Sequence, residues 1–383
     1  MSNQQSNTPR LRLILKSIHI WIGLIAGALI SVLSLTGSVI VFRNEIAQAT
    51  ALRRAAAANG SGSAGLDDVA RQVTSARVDA RIRHVRLPAR PGDPFIVQAD
   101  FGGKQQRLVC DASNGQVLAT LQSGWIDWMI DLHRNVLAGK SGRKAVGGVG
   151  IVLFTLAATG LLLWLAGPRN WKSWILVRAQ GSSRRFHFEL HRAAGLWSCG
   201  LFALVSFTGI GMAYPDTYRQ ALQWMTGQPA AGRAPRVAKT AARRLHPLDE
   251  YLRIGRDAMP DGVPVELRLP DAGKGPVDLR LWRAGDLAPD GNHVYLDPST
   301  AKVLAVSRAA DQPLAVRAFS ALAPIHYGEF GGLASKILWS VLGLVPAVLF
   351  STGIVSWWRP AKRKSQRTVR EQIRTEDLTL AGR

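Results

Sequence analysis

Four of the eight histidines in this chain fall into two pairs matched by sequence register. His19-Ile-Trp-Ile-Gly23 recurs as His191-Arg-Ala-Ala-Gly195, 172 positions on, and Thr36-Gly37 recurs at the same offset as Thr208-Gly209. A second offset of 193 relates His133 to His326, Thr159-Gly160 to Thr352-Gly353 and Trp164 to Trp357. Self-similarity held over such distances predicts a duplicated unit. The four histidines lie in or beside long apolar runs, where an ionisable side chain is costly and points to function.

Imidazole suits iron, copper or zinc, and four features favour haem. Gly23 and Gly195 each follow a histidine by one helical turn, on the same face, leaving room for a flat ring. No carboxylate or thiolate accompanies the histidines at depth, as a charged metal site would need. Trp21, Trp197, Trp125, Trp128, Tyr327 and Phe330 crowd the predicted sites. Four histidines also supply two six-coordinate irons of the b type, and no Cys-x-x-Cys-His attachment is present.

Pairing partners at equal depth gives His19 with His191 and His133 with His326. A lone histidine near a span end is ordinarily an interfacial residue; two register-matched pairs, each cytoplasmic member with its glycine, argue for ligation. His187, four residues before His191 on the same helical face, competes with it as ligand or serves as a propionate contact. Its repeat partner is Leu15, so symmetry favours His191. Arg192 and Arg134 adjoin proposed ligands and could pair with propionates, as readily as they could be solvated. His84, His246 and His293 have no metal-like spacing and read as surface or core residues.

The elements that must hold these residues are legible in the hydropathy. Residues 13–42, 144–166, 188–214 and 337–358 each reach the roughly 20 apolar residues that cross about 30 Å of hydrocarbon. The net charge of +22 is gathered beside them: Arg10, Arg12 and Lys16; then Arg169, Lys172, Arg178, Arg184 and Arg185; then seven basic residues from Arg359 to Arg374. Basic flanks stay in the cytoplasm, which makes residues 1–12, the loop 167–187 and the tail 359–383 cytoplasmic. The segments 43–143 and 215–336 are then extracytoplasmic. This charge reads as topology and contact with anionic membrane lipid, with no nucleic-acid partner. Cys110 and Cys199 form no disulfide framework and no metal site. Gly23-x-x-x-Gly27 and Gly147-Gly148-x-Gly150 read as places of close helix approach. Hydrolase, Walker and dinucleotide-binding motifs are missing from the sequence.

The outer segments also repeat. Leu66-Asp-Asp-Val-Ala-Arg-Gln-Val73 predicts a helix, echoed by Pro247-Leu-Asp-Glu-Tyr-Leu-Arg-Ile254. Strands are expected at 83–87 and 94–100, then at 265–269 and 277–282. Val109-Cys-Asp-Ala-Ser-Asn-Gly-Gln-Val-Leu118 and Tyr295-Leu-Asp-Pro-Ser-Thr-Ala-Lys-Val-Leu304 read as strand–turn–strand hairpins. Small, Gly- or Pro-rich stretches at 55–65 and 227–237 read as linkers. The expected fold is a four-helix transmembrane bundle built from a tandem repeat, with two extracytoplasmic α+β domains.

The hairpin Asp-x-x-x-Gly-x-Val-Leu after a helix and strands resembles a PepSY domain. Two of them between histidine-bearing spans resemble the PepSY-associated transmembrane family over essentially the whole chain. Within that family, a compact two-repeat chain resembles the inner-membrane ferrisiderophore reductases of the ferrioxamine type. That resemblance implies two haem b groups and a multi-pass protein of the bacterial inner membrane, with both termini cytoplasmic. It implies reduction of a ferric siderophore of hydroxamate type outside, with Fe(II) released for uptake. The electron donor is left open between quinol and a cytoplasmic reductant. Trp125, Trp128, Tyr327, Glu329 and Phe330 would stand near the mouth of a docking cleft. The rival reading is a membrane-anchored pair of PepSY domains that binds or regulates a partner protein without redox activity. A coupled transporter would call for buried carboxylates and broken helices.

Overall fold

The computed structural model describes residues 7–47, 49, 63–76, 79–121, 124–166, 175–178, 182–229, 234–235, 237, 245–271, 275–287 and 291–358. The basic tail 359–383, Arg169 and Lys172, most of the linker at 55–65 and parts of that at 227–237 lie outside the described residues. The described chain divides into two compact units, one built mainly from the spans and one from the segments between them.

The first unit contains four long apolar helices: α1 (Asn7–Ile40), α4 (Gly139–Leu165), α5 (Ser183–Ala213) and α9 (Gly332–Trp358). The shortest has 27 residues, about 40 Å at 1.5 Å per residue. Each is long and apolar enough to cross a membrane, and this is a multi-pass membrane protein. Helices α1, α4, α5 and α9 begin some five residues before the predicted apolar runs, because basic and small residues such as Arg12, Lys140 and Arg184 continue the helix outside the hydrocarbon stretch.

Small side chains govern how these helices meet. Gly150 lets α4 approach α5, since a Cβ there would lie 3.1 Å from Ile210. A Cβ at Gly27 would collide with the ring of Phe350 on α9. Between α1 and α9, Ser38 Oγ donates to the Ser340 carbonyl at 2.8 Å, and Ser340 Oγ donates back to the Ser38 carbonyl at 3.1 Å.

The second unit is an eight-stranded antiparallel sheet. Its first half runs α2 (Leu66–Ala76), β1 (Ala80–Arg86), β2 (Phe95–Phe101), β3 (Lys104–Cys110) and β4 (Val117–Leu121), followed by α3 (Trp125–Asn135). Its second half runs α6 (Pro215–Thr226), α7 (Leu248–Ala258), β5 (Val263–Arg268), β6 (Val277–Trp282), β7 (Asn292–Leu296), β8 (Val303–Ser307) and α8 (Leu314–Tyr327). The strand order β4-β3-β2-β1-β5-β6-β7-β8 joins two meanders edge to edge. Each segment thus has the helix and antiparallel strands expected of it. The two are nevertheless one body, because β1 pairs with β5 through His84↔Arg268, Val85↔Leu267 and Arg86↔Glu266. Pairing the innermost strands removes two open sheet edges.

Alternation along the strands sends Phe95, Val97, Ala99 and Phe101 of β2, and Val277, Leu279 and Leu281 of β6, to one face. There they pack against Leu66, Val69 and Val73 of α2 and Leu248 and Tyr251 of α7 in a single buried core. The helices are tied reciprocally. The Asp249 carboxylate accepts from the amides of Leu66 and Asp67 at 2.7 and 3.1 Å. The Asp67 carboxylate accepts from those of Leu248 and Asp249 at 2.7 and 3.2 Å. Each helix therefore has its orphan amides satisfied by an acid on the other. Gly65 makes this possible, since a Cβ there would collide with Asp249.

Candidate cofactor site among the histidine-bearing helices

His19 on α1 and His191 on α5 are brought together. Their ring centroids lie 6.2 Å apart with the planes at 88°. Each ring rests on a Thr-Gly pair of another span. His19 Nδ1 lies 2.9 Å from Thr159 Oγ1 on α4, and a Cβ on Gly160 would stand 3.3 Å from His19 Cε1. His191 Nδ1 lies 2.9 Å from the Leu349 carbonyl and 3.2 Å from Thr352 Oγ1 on α9, with Gly353 against its Cε1.

His133, near the end of α3, follows the same pattern. Its Nδ1 is 2.7 Å from the Leu33 carbonyl and 3.3 Å from Thr36 Oγ1. Gly37 leaves room for the ring, since a Cβ there would be 2.9 Å from Cε1.

These contacts decide the tautomers. A backbone carbonyl only accepts, so His133 and His191 must carry the proton on Nδ1. Thr159 spends its own hydroxyl hydrogen on the Thr155 carbonyl at 2.7 Å, so it accepts from His19 Nδ1–H. Thr36 and Thr352 donate in the same way, each at 2.7 Å, to Leu33 and Val348. In all three rings the proton on Nδ1 makes Nε2 the unprotonated nitrogen, the tautomer in which imidazole binds a metal.

A cavity of roughly 560 Å³ opens beside His19 and His191, within the roughly 300–1,000 Å³ typical of cofactor sites. Gly23 and Gly195 line it, with Leu156, Phe202 and Leu349 among its apolar walls. The two glycines therefore stand where the one-turn spacing implied. Among the described residues no group of three or more His, Cys, Asp or Glu side chains is placed to hold a bare metal ion.

The Thr-Gly pairs are residues whose role the sequence reading did not assign. Their recurrence at the histidines' own offsets was the available signal. All four threonines, Thr36, Thr159, Thr208 and Thr352, are buried.

Other predicted residues are dispersed. His187 is part-exposed, its Nδ1 bonded to the Ser183 carbonyl at 2.6 Å, and it does not line the cavity. Arg192 does line it. Arg134 pairs with Asp131 at 3.1 Å on an exposed face. His326 ends α8 in the sheet-containing unit, edge-on to Tyr327. In that unit Arg43 lies 4.0 Å over the Tyr327 ring and pairs with Glu329 at 3.3 Å. Trp125, Trp128 and Phe330 are exposed.

The remaining histidines have protein partners. His246 bonds Glu250 at 3.0 Å, and His293 bonds Asp278 at 2.9 Å while stacking on Tyr295. His84 faces Glu266 at 3.4 Å. Burial holds the His84 imidazole below its ordinary range, Glu266 opposes this, and Arg268, Arg86 and Arg280 add to it. Burial likewise pushes the Cys110 thiol up to about 12, which leaves it an inert core residue.

The comparisons with known proteins agree with the fold. An uncharacterized protein of Pseudomonas aeruginosa is 27% identical over 256 residues, covering 61% of this chain and 63% of the relative's length. The family model for the PepSY-associated TM region matches residues 16–359. With four helices long and apolar enough to span a membrane, two of them bearing His19 and His191, and a match that runs from the first span to the last, the chain belongs to the PepSY-associated transmembrane family.

Proposed function

We propose that this protein is a b-type haem protein that carries electrons across a bacterial inner membrane, with His19 and His191 as the axial ligands of one haem. The observation that carries the reading is the pair of imidazoles with ring centroids 6.2 Å apart and planes at 88°, each with its proton held on Nδ1. These two histidines would hold the iron of one haem. The adjoining cavity has the volume and the apolar, glycine-flanked walls that a flat macrocycle needs. A haem held there supplies one-electron redox chemistry.

Within this reading the chain's residues bind, orient and insulate. Thr159 and the Leu349–Thr352 pair fix the imidazole planes and raise their basicity. The leucines and Phe202 keep water from the site. His133 and His326 are proposed as the second ligand pair on their sequence correspondence, with His133 holding the same tautomer. The termini are proposed to be cytoplasmic from the basic flanks. The proposed acceptor, by resemblance, is a ferric hydroxamate siderophore outside, reduced by one electron to release Fe(II), with quinol or a cytoplasmic reductant as donor.

The deciding measurement is the absorption spectrum of detergent-purified protein from haem-sufficient cells. A Soret band with sharp bands on dithionite reduction, and about two haems per chain by pyridine haemochrome, is expected. A colourless protein would remove the haem reading and leave a PepSY partner-binding module.

A further inference from the structure

Trp164 lies near the end of α4 and lines the bundle cavity. Its indole Nε1 is buried, and no hydrogen-bond partner for it exists among the described residues. A buried donor left unmade costs free energy, and bilayer hydrocarbon offers nothing to accept it. The cavity that Trp164 lines gives room for such an acceptor.

The rest of the lining names the chemistry of that acceptor. Arg12 and Lys16 from α1 and Arg184 and Arg192 from α5 line the same cavity, and no aspartate or glutamate does. Four cations and one neutral N–H donor on one lining, with no acid on that lining, describe a subsite for an anionic oxygen group. Positive flanks alone would set topology wherever they pointed; these border the cavity that holds the histidine pair. Trp357, the sequence counterpart of Trp164, lines it too.

Resting on the haem reading above, we propose that Trp164 is a carboxylate-binding residue. Its indole N–H donates to a propionate of the haem beside His19 and His191, and Arg12, Lys16, Arg184 and Arg192 neutralise the pair of propionates. This assigns which end of the macrocycle points to the basic mouth of the cavity. It gives Trp164 a positioning role that neither periodicity nor the histidine pattern indicated.

The test compares two iron porphyrins on the full-length apoprotein in detergent: haem, and iron octaethylporphyrin, which has no carboxylates. Soret titration should show wild type preferring haem. Trp164→Phe keeps the ring and loses the donor; it should weaken haem about tenfold and leave iron octaethylporphyrin unchanged. Arg184→Gln should weaken haem selectively in the same way. The propionate bending mode in resonance Raman should shift in Trp164→Phe.

Equal loss of both porphyrins in Trp164→Phe would make the tryptophan a packing residue and overturn the proposal. So would unchanged binding of both with an unshifted propionate mode. Either result leaves haem ligation by the histidines intact. Failure of wild type to bind either porphyrin would overturn the underlying haem reading, and the proposal with it.

Discussion

The two compact units use their register-matched residues in opposite ways. In the sheet-containing unit the two halves share strands, share a core and exchange helix caps. Val97, Leu279 and their neighbours are fully buried, and Asp67 and Asp249 each satisfy the other half's helix. In the helical unit the matched residues of the two halves line a cavity instead of closing it. Three of its buried threonines, Thr36, Thr159 and Thr352, each support an imidazole. The first arrangement turns the matched residues to stability, the second to a site.

The largest predicted effect breaks the site and leaves the sheet intact. His19→Ala and His191→Ala should each remove the same haem completely, while the sheet-containing unit keeps its thermal transition. Gly23→Leu should do likewise without touching a ligand, because the new side chain would enter the cavity that Gly23 lines. Retention of that haem in His19→Ala would refute the assignment.

A sharper comparison lies within the site. Among the described residues His19 Nδ1 is held by Thr159, whereas His191 Nδ1 has both the Leu349 carbonyl and Thr352. Thr159→Val should weaken haem retention by roughly 10–100-fold, and Thr352→Val clearly less. Equal losses in competition with apomyoglobin would mean that the threonine hydroxyls do not orient the rings.

In the sheet-containing unit the effects should be smaller and purely structural. Asp67→Ala should cost about 1–2 kcal/mol, lowering the transition by roughly 2–8 °C, with the haem spectrum unchanged. Hydrogen exchange should quicken at Leu248 and Asp249, which lie in the other half. Exchange that quickens only near Asp67 would show the halves to be independent.

The smallest effect concerns pH. His84 is held below its ordinary value by burial, so the unfolded chain binds its proton more readily than the folded one does. The stability this confers is complete above about pH 6.5 and is lost as the pH falls below it. Asp278 is buried, which opposes ionisation, but His293 and Arg280 outweigh this and hold it low. Its contribution is complete above the ordinary carboxylate range and is lost only in stronger acid. His84→Gln should therefore flatten the stability profile between roughly pH 7 and 5.5. An unchanged slope would place the sensitivity elsewhere.

The spans were legible because hydrocarbon demands unbroken apolar stretches, and the histidine pairs because offsets of 172 and 193 survive in the residues themselves. The helix and strands of each outer segment were legible because period 3.6 and period 2 alternate visibly. The joining of β1 to β5 was not, since a strand's partner across an edge leaves no mark on its own periodicity. Nor was the cap exchange: Asp67 and Asp249 stand at their own helices' starts and look like local caps. The Thr-Gly pairs recurred in plain view, yet their purpose depends on which span faces which. Residue type and spacing thus determined, on their own, the spans, the matched offsets and the candidate ligands. Which histidines meet, which nitrogen each presents, and which tryptophan with an unmet N–H lines the cavity were decided by tertiary packing, because these depend on contacts between residues 100 or more positions apart.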